Sequence, residues 1–401
     1  MNKRVLFVIP YLYEGGAQRA LSNIEMNFPD DWEIETLVNS EYKKAYPVKG
    51  IIHSLGISEK PKTDSVLFQF GVFLKRIRKL KQLKSTGRYD ACISMADSAS
   101  VANILSGNKH CKTIISIRTS LKAMSRLAQY KYVVNPLARV FYNSADKVVA
   151  VSEELKKELI EEFKIKKEKV VAIPNGYNLD SILNRAEEPL EEDIANFITG
   201  KKVICNVGRL SFPKGQWHLI RAFKRIKEAI PDSVLLIAGT GELEEYLLKL
   251  ADELKLNDSI WFLGHTDNVY KYLKSADVFA FPSILEGYPN AMAEAICVGV
   301  PCVATDFKTG AREILAPEIQ DDNRVINKSE ECSYGILTPL CSDNMLSGSE
   351  ELEEQECIYA SAIIELLAND EILNHYRQQC IDRRKTLGIS NSINKWISII
   401  N

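Results

Sequence analysis

The sequence predicts an α/β chain built from two doubly wound, Rossmann-like domains, and three observations carry that expectation. Short β-branched apolar runs alternate with amphipathic segments of helical period through most of the 401 residues. That is the pattern of parallel sheets covered on both faces. The alternation stops at 180–200, where NLDSILNRAEEPLEEDIANFITG is acidic and strandless, and then starts afresh. The length also exceeds what one core uses, at about 100–200 residues per domain.

In the first series RVLFVIPYL reads as a strand, GAQRALSNIEMNF as a helix and WEIETLVN as a strand. DACISM, KTIISIRTS and DKVVAVS follow as strands, then the charged helix EELKKELIEEF and the strand KVVAIPNG. The second series begins at KKVICNVGR and runs through KGQWHLIRAFKRIKEAI, DSVLLIAGTG, ELEEYLLKLADELKL, SIWFLGH, DNVYKYLKSA, DVFAFPS, PNAMAEAICVG, VPCVATD and YGILTP. Helices dominate after that. The expected division is 1–185, 186–385 and a terminal helical segment 386–401. Parallel sheets bind ligands at the carboxyl ends of their strands, and two such domains facing each other would make a cleft for them.

Hydrophobic residues make up 46% of the chain and charged residues 26%, with 20 Gly and 14 Pro, which excludes a disordered or collagen-like chain. No apolar run is long enough to span a bilayer. The start, MNKRVLFVIPYLYEGG, reads as a first strand and not as a signal peptide. The nine cysteines are scattered without a CxxC or a zinc pattern. They read as small buried hydrophobes in a reducing, cytoplasmic compartment.

The net charge of −2 hides an asymmetry: residues 1–190 hold 30 Lys and Arg against 21 Asp and Glu, so the remainder is strongly acidic. Positive charge concentrates in 70–88, at Lys75, Arg76, Arg78, Lys79, Lys81, Lys84 and Arg88, alternating with a stripe of Phe70, Phe73, Leu74, Ile77, Leu80 and Leu83. Two readings stay open: a basic amphipathic helix on an anionic membrane, or a surface helix packed on the sheet with a solvated Lys/Arg face. Nucleic acid is not an expected partner, because the aromatics lie on the apolar stripe and not among the charges.

The densest chemistry lies in DVFAFPSILEGYPNAMAEAICVGVPCVATDFKTGAREIL. A strand ends in a loop with Glu286 and Gly287, and Pro289 suits a helix start. The amides of Asn290 to Met292 would make an anion site. Glu294, one turn further in, leans back toward them. The two carboxylates can flank one ligand, accepting from sugar and ribose hydroxyls. Upstream, Arg209 follows a strand and Lys214 opens a helix, so two cations could neutralise a diphosphate without a metal. No Asp-x-Asp occurs in the chain, which suits the same chemistry. Gly239-Thr240-Gly241 is a tight turn that by itself says little about a nucleotide.

These motifs, in order NVGRL…KG, IAGTGE, FLGH, PS..EG.P....EA and ATD, together with GGAQRAL and VSEEL…IPNGYNLD, resemble the retaining glycosyltransferases of the GT-B fold, group 4. The resemblance implies two Rossmann-like domains and a terminal helix that packs back on the first. Arg209 and Lys214 would stabilise the leaving diphosphate, Glu294 would hold the ribose, and Glu286 would contact the transferred sugar. Gly287, Tyr288, Pro289 and Asn290 would assist around the sugar. Gly208, Gly264 and His265 would line the donor site, the last two against the base, and Gly15 and Gly16 would let backbone approach the phosphates and the acceptor. It further implies a nucleotide-sugar donor, UDP-linked, a lipid-linked or glycan acceptor, no separate cofactor and no metal. KTGAREIL, 308–315, resembles a variant among relatives that use galactose- or N-acetylhexosamine-type donors.

One departure stands out. Relatives carry a His where this chain has ISIRTS, so Arg118 either faces the sugar or an acceptor phosphate, or is a surface residue. Asp97 is either a second acceptor-side group or a helix-capping Asp. The same fold would also accommodate a sugar-nucleotide epimerase or a non-catalytic sugar-binding partner subunit. Intact Glu286, Glu294, Arg209 and Lys214 argue against the latter. The acidic segment 317–357 carries no assigned role.

Overall fold

A computed structural model describes residues 2–13, 15–41, 44–57, 65–107, 111–319 and 324–401. The chain divides into two compact units, Met1–Gly176 with Ile389–Asn401, and Tyr177–Gly388. Unit 1 holds a parallel sheet of β1 (Arg4–Val8), β2 (Glu33–Val38), β3 (Ile51–Ser54), β4 (Ala91–Ser94), β5 (Lys112–Ile117), β6 (Lys147–Ala150) and β7 (Val170–Ala172). Its order is β3-β2-β1-β4-β5-β6-β7. The crossovers include α1 (Gly16–Asn27), α2 (Val66–Gly87), α3 (Asp97–Leu105), α4 (Asn135–Phe141) and α5 (Glu153–Glu161).

β1 shows why these strands are continuously apolar. Val5 and Phe7 join a core with Leu21 and Ile24 of α1. Leu6 and Val8, on the opposite face, join one with Leu80 and Leu83 of α2 and Ala102 of α3. The last helix, Ile389–Ile400, packs on the α1 side, with Ile393, Trp396 and Ile400 in that core.

Unit 2 repeats the design after α6 (Leu179–Ala186) and α7 (Glu192–Ile198). Its strands are β8 (Lys202–Val207), β9 (Ser233–Ala238), β10 (Ile260–Gly264), β11 (Val278–Phe281), β12 (Cys302–Thr305), β13 (Glu330–Cys332) and β14 (Gly335–Thr338). The order is β10-β9-β8-β11-β12-β14-β13, with β13 antiparallel to β14. Its helices continue with α8 (Gln216–Ala229), α9 (Glu244–Glu253), α10 (Tyr270–Lys274), α11 (Asn290–Val298), α12 (Ala311–Leu315), α13 (Glu354–Ala368) and α14 (Asp370–Leu387).

The units part after Gly176 and before Ile389, not at 185/186 and 385/386. α6 goes with unit 2 because its C-terminus is tied there: Asn268 donates to the Arg185 carbonyl at 2.7 Å and Arg185 donates to the carbonyl of Asp267. α2 also departs from expectation. Its buried residues are Val72, Arg76, Leu80, Leu83 and Lys84, so two of the cations that both readings placed on the polar face lie on the packed stripe. Phe70, read as part of that stripe, is exposed. Lys84 is placed by the end of α3, donating to the carbonyls of Asn103 at 2.9 Å and Gly107 at 2.8 Å. All nine thiols are free and eight are buried; burial pushes the Cys92 thiol up to about 12.

The described part of 317–357 has a structural use. It supplies β13 and then a strap whose carbonyls accept from α8 and α9. Trp217 donates to Asn344, Arg221 to Glu351 and Tyr246 to Leu346, at 2.8, 2.6 and 2.7 Å. Residues 320–323 of that segment lie outside the described residues. Among the described residues no helix is long and apolar enough to cross a membrane.

Candidate active site

In unit 2 the chain order reverses between β8 and β11, and an open sheet has its crevice at the carboxyl ends of such a pair. Arg209, Lys214, Glu286 and Glu294 follow these ends. β8 runs into Gly208 and Arg209, then a short turn, Phe212–Lys214, that leads into α8. Gly215 closes the turn at φ +60°, and a Cβ there would stand 2.4 Å from the Pro282 carbonyl oxygen beyond β11. Only glycine admits that approach. It brings the two strand ends together, and the Ile284 amide bonds the Pro213 carbonyl at 2.9 Å.

This closeness places Lys214 on Glu286: Nζ lies 2.5 Å from Oε1, and both side chains are largely shielded. Ser283 Oγ donates to the same carboxylate oxygen at 2.8 Å. Thr305, at the end of β12, donates to the Ser283 carbonyl, and Thr309 to the Glu286 carbonyl. Glu286 is thus fixed at once from the segments after β11 and β12 and from the turn before α8. The ammonium also stands 5.6 Å from the centre of the Phe281 ring.

Arg209 is not brought to the same pair. Its side chain is exposed and pairs with Glu242 at 3.0 Å, a surface contact that exchanges easily. The loop carbonyl of Arg209 is held instead, accepting from Gln216 at 3.0 Å. The α11 helix begins at Asn290, one residue later than the Pro289 start that the sequence suggested. Asn290 accepts from Tyr177 at 2.8 Å, Tyr288 is buried, and Glu294 is buried in the second turn of α11. Gly264 ends β10 at φ +64°, and His265 beyond it is exposed near Asp267. Gly239-Thr240-Gly241 has a packing reason: a Cβ at Gly239 would meet the Gly208 carbonyl oxygen at 2.0 Å. Arg312, within the KTGAREIL motif, clamps Asp306 through Nε at 2.8 Å.

Gly15, Gly16, Asp97 and Arg118 lie in unit 1, beyond the carboxyl ends of its strands. Gly15 precedes α1 and Gly16 is its first residue. Asp97 does not cap a helix; it is the first residue of α3, and its carboxylate accepts from Tyr130 at 3.0 Å and Tyr142 at 3.1 Å. Burial raises its pKa, and the two hydroxyls offset part of that rise. Arg118 donates to Asn175 beyond β7.

Sequence reasoning missed Thr305 and Thr309, whose hydroxyls bond carbonyls of the Ser283–Glu286 loop, and Tyr177, which meets Asn290 across more than a hundred residues. No local signal marks such pairs. His218, Glu353 and Glu356 have the donor chemistry of a metal site, but the cation beside Glu356 is the Arg221 guanidinium, 2.9 Å away.

Two family models divide the chain: Glycosyltransferase Family 4 over residues 30–181 and Glycosyl transferases group 1 over 188–331. An uncharacterized glycosyltransferase of Methanocaldococcus jannaschii is 31% identical over 391 residues, covering 92% of this chain and 95% of that protein. The N-acetylgalactosamine-N,N'-diacetylbacillosaminyl-diphospho-undecaprenol 4-alpha-N-acetylgalactosaminyltransferase of Campylobacter jejuni is 29% identical over 361 residues, 89% of this chain and 91% of its own. In fold the chain is similar to the Anabaena protein HepE, solved with UDP and glucose, at a TM-score of 0.71, 18% identity and 98% coverage of each chain. By the extent of these matches and the tandem sheets that they share, the chain belongs to the group 1 and family 4 glycosyltransferases of the GT-B fold.

Proposed function

We propose that the chain is a retaining, metal-independent glycosyltransferase that moves a hexose or N-acetylhexosamine from a UDP-linked donor to a lipid-linked or polysaccharide acceptor in cell-surface glycan assembly. The observation that carries this reading is the Lys214–Glu286 pair, with Arg209 on the same loop, at the switch point of the unit 2 sheet. A diphosphate arriving there offers the ammonium and the guanidinium a doubly charged partner in place of two carboxylates. Glu286, released from Lys214, accepts from the sugar hydroxyls. Glu294 takes the ribose, and Gly264 and His265 flank the base.

In the reaction the bond from the sugar anomeric carbon to the diphosphate oxygen breaks, and its electron pair leaves with the diphosphate. The acceptor oxygen bonds the anomeric carbon on the same face and passes its proton to the departing phosphate oxygen. Lys214 and Arg209 stabilise the charge that develops there, which is the differential stabilisation that catalysis requires. The diphospho-undecaprenol in the name of the Campylobacter relative, and the UDP and glucose bound to HepE, support the acceptor and donor classes. Titration calorimetry should show UDP binding in the micromolar to millimolar range, lost in Glu294→Ala and Arg209→Ala. Normal binding by both variants sinks the site. An α-linked donor should give an α-linked product by NMR, and an inverted product would exclude retention.

A peripheral membrane position is part of the proposal. The first turns of α2 expose Val66, Leu67 and Phe70, followed by exposed Lys75, Arg78 and Lys81, the composition of a helix lying at an anionic interface. The chain should float with phosphatidylglycerol vesicles and release at about 1 M salt, where the screening length is roughly 3 Å. Equal recovery with neutral phosphatidylcholine would exclude the electrostatic contact.

A further inference from the structure

Unit 1 has its own switch point, between β1 and β4, and a cavity of about 370 Å³ lies at their carboxyl ends. Ala17 and Gln18 of α1, Asn39 beyond β2, Ala96 and Ser98 at the start of α3, and Arg76 of α2 are among its lining residues. Arg76 is the unusual member. It is only 4% exposed, yet among the described residues its guanidinium bonds neutral oxygens: Ser98 Oγ at 3.2 Å and Asn39 Oδ1 at 2.9 Å. Among the described residues no carboxylate pairs with it and none lines the cavity. Desolvation pulls its pKa down to about 10. A charge taken out of water without a counter-charge is costly, and an anion entering the cavity would supply that counter-charge.

Two further features point the same way. α1 and α3 both begin at this cavity, and neither has a side chain capping its first turn, since Gly15 and Ala96 hold the cap positions. Their first amides and helix dipoles add positive potential to that of the guanidinium. The one acid in these first turns, Asp97, is turned to Tyr130 and Tyr142.

We infer that this cavity is an anion subsite, in which Arg76 and the starts of α1 and α3 bind the diphosphate of a lipid-linked acceptor. The inference rests on the glycosyltransferase reading and adds to it the group by which the acceptor is chosen. On that reading the nucleotide diphosphate has its cations in unit 2, whereas this pocket shares unit 1 with Asp97 and Arg118, the expected acceptor-side groups. An acceptor carrying a phosphate next to its sugar would be anchored here with its free hydroxyl held at a set distance. A neutral glycoside would leave the guanidinium buried and without its anion.

The test uses the full chain, with binding measured by calorimetry for four probes: a short-chain prenyl-diphosphate N-acetylhexosamine, a neutral octyl glycoside of the same sugar, inorganic pyrophosphate and UDP. The wild type should prefer the diphosphate glycoside to the neutral one by roughly 10- to 100-fold, the worth of a charge-assisted contact. Arg76→Gln should erase that preference and leave UDP binding unchanged. Asn39→Asp covers a folding failure in that variant: it sets a carboxylate against the guanidinium, so the melting temperature should hold or rise while the preference disappears. A preference that persists in a folded variant overturns the proposal. Inorganic pyrophosphate bound at Arg76 as tightly as the prenyl glycoside would make free diphosphate the ligand and overturn the acceptor assignment. A wild type that binds no UDP would defeat the donor reading, and the Arg76 result would stand apart from it.

Discussion

Lys214→Ala is expected to lower kcat/KM for the sugar donor by about 10²–10³, the usual effect of removing one donor aimed at developing charge. Among the described residues the ammonium is the one cation in direct contact with the Glu286 carboxylate, and the loop that carries it is pinned by Gly215 and the Pro213 carbonyl. The group is therefore positioned before a donor arrives. Arg209, exposed and paired with Glu242, would have to leave that pair to meet the proposed donor. Lys214→Arg should recover part of the loss, since the charge returns at a different reach. Both variants should melt within a few degrees of the wild type, because Lys214 is partly exposed and its ion pair contributes little to the core. The measurement is steady-state donor kinetics beside a thermal melt. An alanine variant within threefold of the wild type would show that Lys214 does not meet the leaving group.

Glu356→Ala should destabilise unit 2 by about 3–5 kcal/mol, the usual result of removing one member of a buried ion pair. Glu356 is fully buried and is met by Arg221 at 2.9 Å, by the His218 ring at 2.8 Å and by the Glu353 amide at 2.9 Å, which closes the cap of α13. Alanine leaves a buried guanidinium with carbonyl partners alone. Burial by itself would raise the Glu356 pKa, but the hydrogen bonds from His218, Arg221 and the amide outweigh it and hold the carboxyl below its ordinary value of 4.5. The sign follows: a carboxylate whose folded pKa is depressed adds stability above about pH 4.5 and loses it as pH falls through the lower folded value. Urea unfolding followed by tryptophan fluorescence should show the acid-side loss in the wild type, and a smaller dependence on pH in Glu356→Gln. Equal slopes below pH 4.5 would exclude this carboxyl as the source.

The candidate site could be assembled from the sequence because its residues are close in the chain. Glu286, Pro289 and Glu294 fall within one strand–loop–helix unit, and Arg209 and Lys214 within another, so each reads as a local motif. The central place of β1 was equally plain, since a strand buried on both faces must be apolar throughout. Arg76 and Lys84 were misread because helical periodicity ranks residues by type, and a charge counts as solvent-facing wherever it falls. α3 overrides that rule by offering its C-terminal carbonyls to Lys84, while Asn39 and Ser98 offer oxygens to Arg76.

The linear order of residues determined the two parallel sheets, the family and the strand–loop–helix unit that carries Glu286 and Glu294, because hydrophobic period, glycine placement and motif spacing are properties of neighbours in the chain. Only the tertiary structure decided which cation meets which anion. Lys214 rests on Glu286, Arg209 on Glu242 and Asp97 between two tyrosines, while Arg76 is buried with no carboxylate partner among the described residues. Pairing of charges depends on distances of a few ångströms between segments dozens of residues apart, and chain folding sets those distances where composition cannot.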